Sequence, residues 1–191
     1  MGVPKIKQVQ DNQAKARTYK ELMEQYRKSM ECGFYGEAEL IVYALLEDRL
    51  RSFLFHIGAI EKRTDSSTGE KMSALLQKPR DVKNISDKAD IIRKSFRHCQ
   101  QISVAEEPYA DYLRSLYLDG VDVSQCKKLL KSINDWCSYR NEIIHGLFHK
   151  DLEDLRQSFR SHVEEGFDLA KELHKHVQAV KRSKGRKEHN R

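Results

Sequence analysis

At 191 residues and 39% hydrophobic content, the chain is long enough for one helical domain with a core and short for two. A formal charge of +6 with a pI near 9.1 favours polyanionic partners but is mild beside that of a dedicated nucleic-acid binder. The longest apolar run, Leu40 to Leu46, is too short to span a bilayer. Cys32, Cys99, Cys126 and Cys137 form no Cys-x-x-Cys pair, so neither a disulfide framework nor a zinc ribbon is indicated, and the expectation is a soluble, unprocessed, cytoplasmic protein with no membrane partner.

Only three prolines interrupt the chain, and no segment keeps a strand period, which predicts an all-α, up-and-down helical bundle with additional short helices. A first helix is expected from Gln13 to Met30, stopped at Cys32-Gly33, and a second, the most apolar and therefore central, from Glu37 to about Glu61. Arg63 to Gly69 reads as a polar loop and Met72 to Leu76 as a short helical turn. A third long helix follows from Ile85 to about Ile102, capped near Asp81 or Asn84. Tyr109 to Leu118 makes a short helix ended by Asp119-Gly120, and a further helix runs from Ser124, its expected N-cap, to about Phe148. Asp151 caps a last helix reaching about Val180. The domain is thus residues 1–180, with 181–191 a basic, solvated and disordered tail whose Lys181, Arg182, Lys184, Arg186 and Lys187 either solubilise the end or grip RNA.

The helix from Ser124 carries the most informative stretch. At about 100° per residue, Leu129, Ile133, Trp136, Ile143, Ile144 and Leu147 form one apolar stripe with Arg140 in its middle. A guanidinium cannot shed its proton, so burying it demands a carboxylate, a phosphate ligand or a wet subunit interface. Asn141 and His145, four apart, flank the same stripe. On the second helix Glu47 and Arg51 fall on the apolar face, with Glu39 at its edge. A Glu47–Arg140 ion pair is therefore expected, either as a purely structural tie between helices or as support for a working Arg. Pairing of Glu47 with Arg51 one turn on is the competing reading.

The string Arg140-Asn141-Glu142-Ile143-Ile144-His145 resembles the Arg-x4-6-His signature of HEPN (higher eukaryotes and prokaryotes nucleotide-binding) domains, many of which are ribonucleases with a polar residue after the Arg. The resemblance implies a HEPN-like fold and metal-independent RNA cleavage to 2′,3′-cyclic phosphate and 5′-hydroxyl ends. It also implies a homodimer whose two motifs share one cleft, a role in antiviral defence or a toxin system, and an antitoxin or regulatory partner. Arg140, Asn141 and His145 would be catalytic, with Glu47 supporting. No cofactor is expected and no metal, since the His145/His149 spacing lacks a third ligand. The other histidines, His56, His98, His162, His174 and His176, read as surface or boundary residues. The alternative reading is a catalytically silent HEPN-like module that binds RNA, a nucleotide or a protein partner.

Overall fold

The computed structural model describes residues 12–60, 84–101, 108–118, 120–145, 149 and 151–189. Six helices make up these residues, and no strand is found among them: α1 (Asn12–Glu31), α2 (Tyr35–His56), α3 (Ile85–Gln101), α4 (Pro108–Leu118), α5 (Val123–His145) and α6 (Leu152–His189). The expected polar loop at Arg63 to Gly69 and the turn at Met72 to Leu76 lie outside the described residues, as do Leu147 and Phe148. No described helix is long and apolar enough to cross a membrane.

Local chemistry sets the helix ends. After α1, Gly33 takes a left-handed φ of 74°, and the Phe34 N–H returns to the Ser29 carbonyl at 2.7 Å, closing a Schellman-type cap. Gly58, at φ 71°, does the same after α2, with the Ala59 N–H on the Leu54 carbonyl at 2.8 Å. The second helix therefore stops at His56, short of the expected Glu61. Asn84 Oδ1 accepts the Asp87 N–H and Asp151 Oδ1 accepts the Glu153 and Asp154 N–H groups, as their N-cap positions predict. The cap of α5 is Asp122 rather than Ser124: its Oδ1 accepts the Gln125 N–H at 2.9 Å, and a carboxylate is also favoured by the dipole there.

Helix α2 is buried along most of its length through Ala38, Ile41, Val42, Leu45, Leu46, Leu50, Phe53 and Leu54, with α1, α3 and α6 packed against it. Contacts fix their senses. Glu47–Lys88 and Phe53–Phe96 run α3 parallel to α2. Glu39–His162, Arg49–His174 and Phe55–Lys184 run α6 parallel to α2 as well. Ser95–Tyr117 and Cys99–Arg114 turn α4 against α3, and the pairing of Trp136 with His162, at opposite ends of α5 and α6 from Asp122 and His176, turns α5 against α6. Strict up-and-down order is thus broken where α3 follows α2 and where α5 follows α4. The first break is open to it because residues 57–84 separate the two helices, long enough to return to the starting end.

The expected tail is helical. Helix α6 has 38 residues, a rod of about 57 Å, and continues past Val180 to His189. Ser183 is fully buried and Lys184 Nζ sits 5.1 Å from the centroid of the Phe55 ring, so the start of the basic segment packs on the end of α2. Periodicity past Val180 is carried by Ser183, a small polar residue that does not read as apolar, which is why the sequence pattern ended too early.

Close approach of α5 to α6 depends on Gly166. A Cβ there would lie 2.5 Å from a ring carbon of Trp136. Gly166→Ala should cost about 1–3 kcal/mol by overpacking, read as a lower urea midpoint at unchanged slope. A gain of about 1 kcal/mol from alanine's helix propensity would mean that the indole lies elsewhere. Where α2 meets α6 further along, Arg49 Nη1 donates to His174 Nδ1 at 2.9 Å, which requires a neutral imidazole. Burial first, and the Arg49 charge second, hold His174 below its ordinary value of 6.5; burial also lowers His176. The unfolded chain then takes up more protons, so this stability is present above pH 6.5 and lost as pH falls through the lowered value. His174→Gln should make the urea midpoint less sensitive between neutral and mildly acidic pH.

Candidate functional site

Helix α5 brings its motif to the end of the bundle where α2 and α6 begin. Arg140 turns inward: its Nε is 3.8 Å from Glu39 Oε1, its guanidinium carbon is 4.7 Å from the centroid of the Tyr43 ring, and its side chain is 21% exposed. The same Glu39 oxygen lies 3.4 Å from His162 Nε2, and both of those side chains are almost wholly buried. Glu39 Oε1, Arg140 Nε and His162 Nε2 have no hydrogen-bond partner, so the three groups are held by charge and packing.

His162 is placed by Trp136. The two rings stack at 4.6 Å and 8°, the indole Nε1 donates to the His162 carbonyl at 2.8 Å, and Tyr139 meets the imidazole edge-on. Without a side chain at Gly166, one turn on, that helical carbonyl is open to the indole. Cys137, beside Arg140, is pushed up to about 11 by burial, against the opposing pull of the guanidinium, and therefore stays a thiol and offers no nucleophile. The Tyr43 phenol is likewise raised, chiefly by burial and then by Cys137 and Glu47.

Asn141 and His145 face the other way. Both are exposed, about 40° apart on the helix and at least 100° from Arg140, so one chain does not bring all three motif side chains together. The expected Glu47–Arg140 contact is not the one formed. Glu47 Oε1 accepts from Lys88 Nζ at 3.1 Å and from Arg51 at 3.4 Å, and the buried Lys88 amine, lowered by desolvation, holds the carboxylate on the α3 side. Arg140 takes Glu39, two turns earlier, on the stretch of α2 that also meets His162 of α6. His162, read from sequence as a surface or boundary residue, is 2% exposed. The signal available for it was the i, i+4 pair His162 and Gly166 on the apolar side of α6, opposite the lone Trp136.

Between α5 and α6 an open depression of about 580 Å³ is lined by Tyr139, Asp154, Ser158, Ser161, Glu165 and others, with His162 at its inner wall. Of the basic residues expected in the tail, Lys181, Arg182 and Lys184 lie on α6, Arg182 Nε reaching the Gln178 carbonyl at 3.3 Å, and the side chains of Arg186 and Lys187 lie outside those described. Among the described residues, no three His, Cys, Asp or Glu are grouped to hold a metal ion. Comparisons with protein-family models, with curated proteins and with solved structures each returned no match to this chain.

A double-mutant cycle tests the Glu39 assignment. Removing one member of a buried pair leaves the other uncompensated, and partial exposure of Arg140 puts the cost at the low end, about 3 kcal/mol for Glu39→Gln or Arg140→Met. In the double variant the two losses should overlap strongly, whereas Glu47→Gln and Arg140→Met should add, by urea unfolding.

Proposed function

We propose that this chain is a HEPN-like, metal-independent endoribonuclease acting as a homodimer. The observation that carries this reading is the Arg-Asn-x-x-x-His motif in the last turns of α5, with Asn141 and His145 exposed on one flank and Arg140 turned away from them onto Glu39. His145 is exposed and has the residue type that most often serves as general acid or base. It would take the proton from a ribose 2′-hydroxyl as that oxygen attacks the adjacent phosphorus. The 2′-oxygen–phosphorus bond forms, the bond to the 5′-oxygen breaks, and the departing oxygen takes a proton, giving a 2′,3′-cyclic phosphate and a 5′-hydroxyl.

One His cannot be base and acid in the same displacement, and a second copy facing the first would bring its own His145 to the leaving oxygen. Asn141 would orient the phosphate and Arg140, its side chain 21% exposed, would stabilise charge building on the phosphoryl oxygens. The same chemistry suits a cytoplasmic antiviral or toxin protein held in check by an antitoxin or regulatory partner. One feature favours the silent module instead: Arg140 is committed to Glu39 and to the Tyr43 face, which suffices as a packing role.

Purified protein and labelled RNA in EDTA separate the two. Cleavage to cyclic-phosphate ends, lost by at least about a hundredfold in His145→Ala with unchanged circular dichroism, supports the nuclease. RNA left intact by the wild type, or cut equally by His145→Ala, assigns the chain to the silent class.

A further inference from the structure

Helix α5 borders differently charged neighbours on its two flanks. Toward α3, Lys127, Lys131, Asn134, Ser138, Asn141 and His145 recur at intervals of three and four, within a sector of about 80°. All are exposed or half-buried, and none is apolar. Toward α6 the same helix borders Asp154 and Glu165 in the depression beside Tyr139.

The opposite wall of the first flank is α3. Lys127 Nζ reaches Gln100 Oε1 at 3.4 Å, and since α5 runs against α3, Lys131 falls level with Arg97 and Asn134 with Arg93. Among the described residues four cations therefore line this seam, with Asp90, which Arg93 holds at 3.2 Å, beside them. Arg97 and Lys131 form no ion pair among the described residues, so their charge is open to a ligand. Asp135 and Glu142 stand at the outer edge of α5. From Lys127 to His145 the seam is about 27 Å long. It begins in cations and ends in the amide and imidazole of the motif.

We infer that the α3–α5 seam is the path of a single-stranded RNA backbone, whose phosphates sit on Arg93, Arg97, Lys127 and Lys131 and whose strand is led along Asn134 and Ser138 to Asn141 and His145. The path rests on the proposed nuclease reading for its destination, not for its affinity. Charge selects the strand. A polyanion gains from releasing counterions against four cations on this flank and is repelled by Asp154 and Glu165 on the other. Among the described residues the seam offers no aromatic platform, so the strand is held by its backbone rather than by base stacking.

A fluorescent single-stranded RNA, fully 2′-O-methylated so that internal attack is blocked, reads binding to the intact chain without turnover. At about 50 mM salt, Arg97→Glu with Lys131→Glu should weaken binding at least roughly tenfold and reduce the salt slope by about 1.4, the share of two phosphates on a single strand. Arg27→Glu with Lys28→Glu on α1, an equal change in net charge, should stay within about twofold. Equal weakening by both pairs, or by neither, overturns the seam. Unmodified RNA distinguishes the two proposals. Cleavage by wild type that survives Arg97→Glu with Lys131→Glu unchanged sinks the path and leaves the nuclease standing. Seam-dependent binding with no cleavage sinks the nuclease and leaves the path.

Discussion

The stack of His162 on Trp136 is the contact on which the functional end of this bundle depends. It joins α5 to α6 in three ways at once, through ring overlap, through the indole hydrogen bond to the His162 carbonyl, and through the absence of a side chain at Gly166. Each constrains a different freedom. The hydrogen bond sets the height of α5 along α6, the stack sets its rotation, and the glycine sets how closely the helices approach. Once these are fixed, Tyr139 and Arg140 have one place each, the former against the imidazole edge and the latter over α2.

Glu39 extends this junction to the third helix. Its nearly buried carboxylate faces both His162 and Arg140, and burying such a group costs several kcal/mol that its partners must offset. Glu47 and Lys88 repeat the arrangement between α2 and α3, with Lys88 1% exposed. Neither pair is a strong source of stability compared with apolar packing of the same volume. Their effect is on register: sliding α2 by one turn would leave a carboxylate, a guanidinium and an ammonium buried without partners. That constraint matters most at the motif end, where a displacement of α5 would carry Asn141 and His145 with it.

The same helix separates two surfaces. Its α6 flank holds aromatic rings and acidic neighbours, and its α3 flank holds lysines, amides and the motif histidine. A helix that is amphipathic in the ordinary sense has one polar face. Here the polar arc borders two different neighbours, the arginines of α3 on one side and Asp154 and Glu165 of α6 on the other.

The sequence by itself determined the helical class, most of the helix limits, the centrality of α2 and the conflict posed by Arg140 on an apolar stripe. These are local properties, because apolar periodicity, cap residues and left-handed glycines act within a few residues of where they occur. It also announced that Arg140 needed a carboxylate, a phosphate ligand or a wet interface. Which partner was decided only by the tertiary structure, since Glu39 and Glu47 both lie on α2 and the packing of α5 on α6, with Lys88 already on Glu47, chooses between them. The burial of His162 and the helical run through Ser183 were hidden for the same reason. A histidine or serine at the edge of a stripe looks the same in sequence whether it meets solvent or a partner helix, and the choice is made by a tryptophan or phenylalanine far away in the chain. The pairing of α3 with α5, which brings scattered lysines and arginines into one seam, likewise follows from the parallel placement of α3 on α2, a matter of topology that helical periodicity does not record.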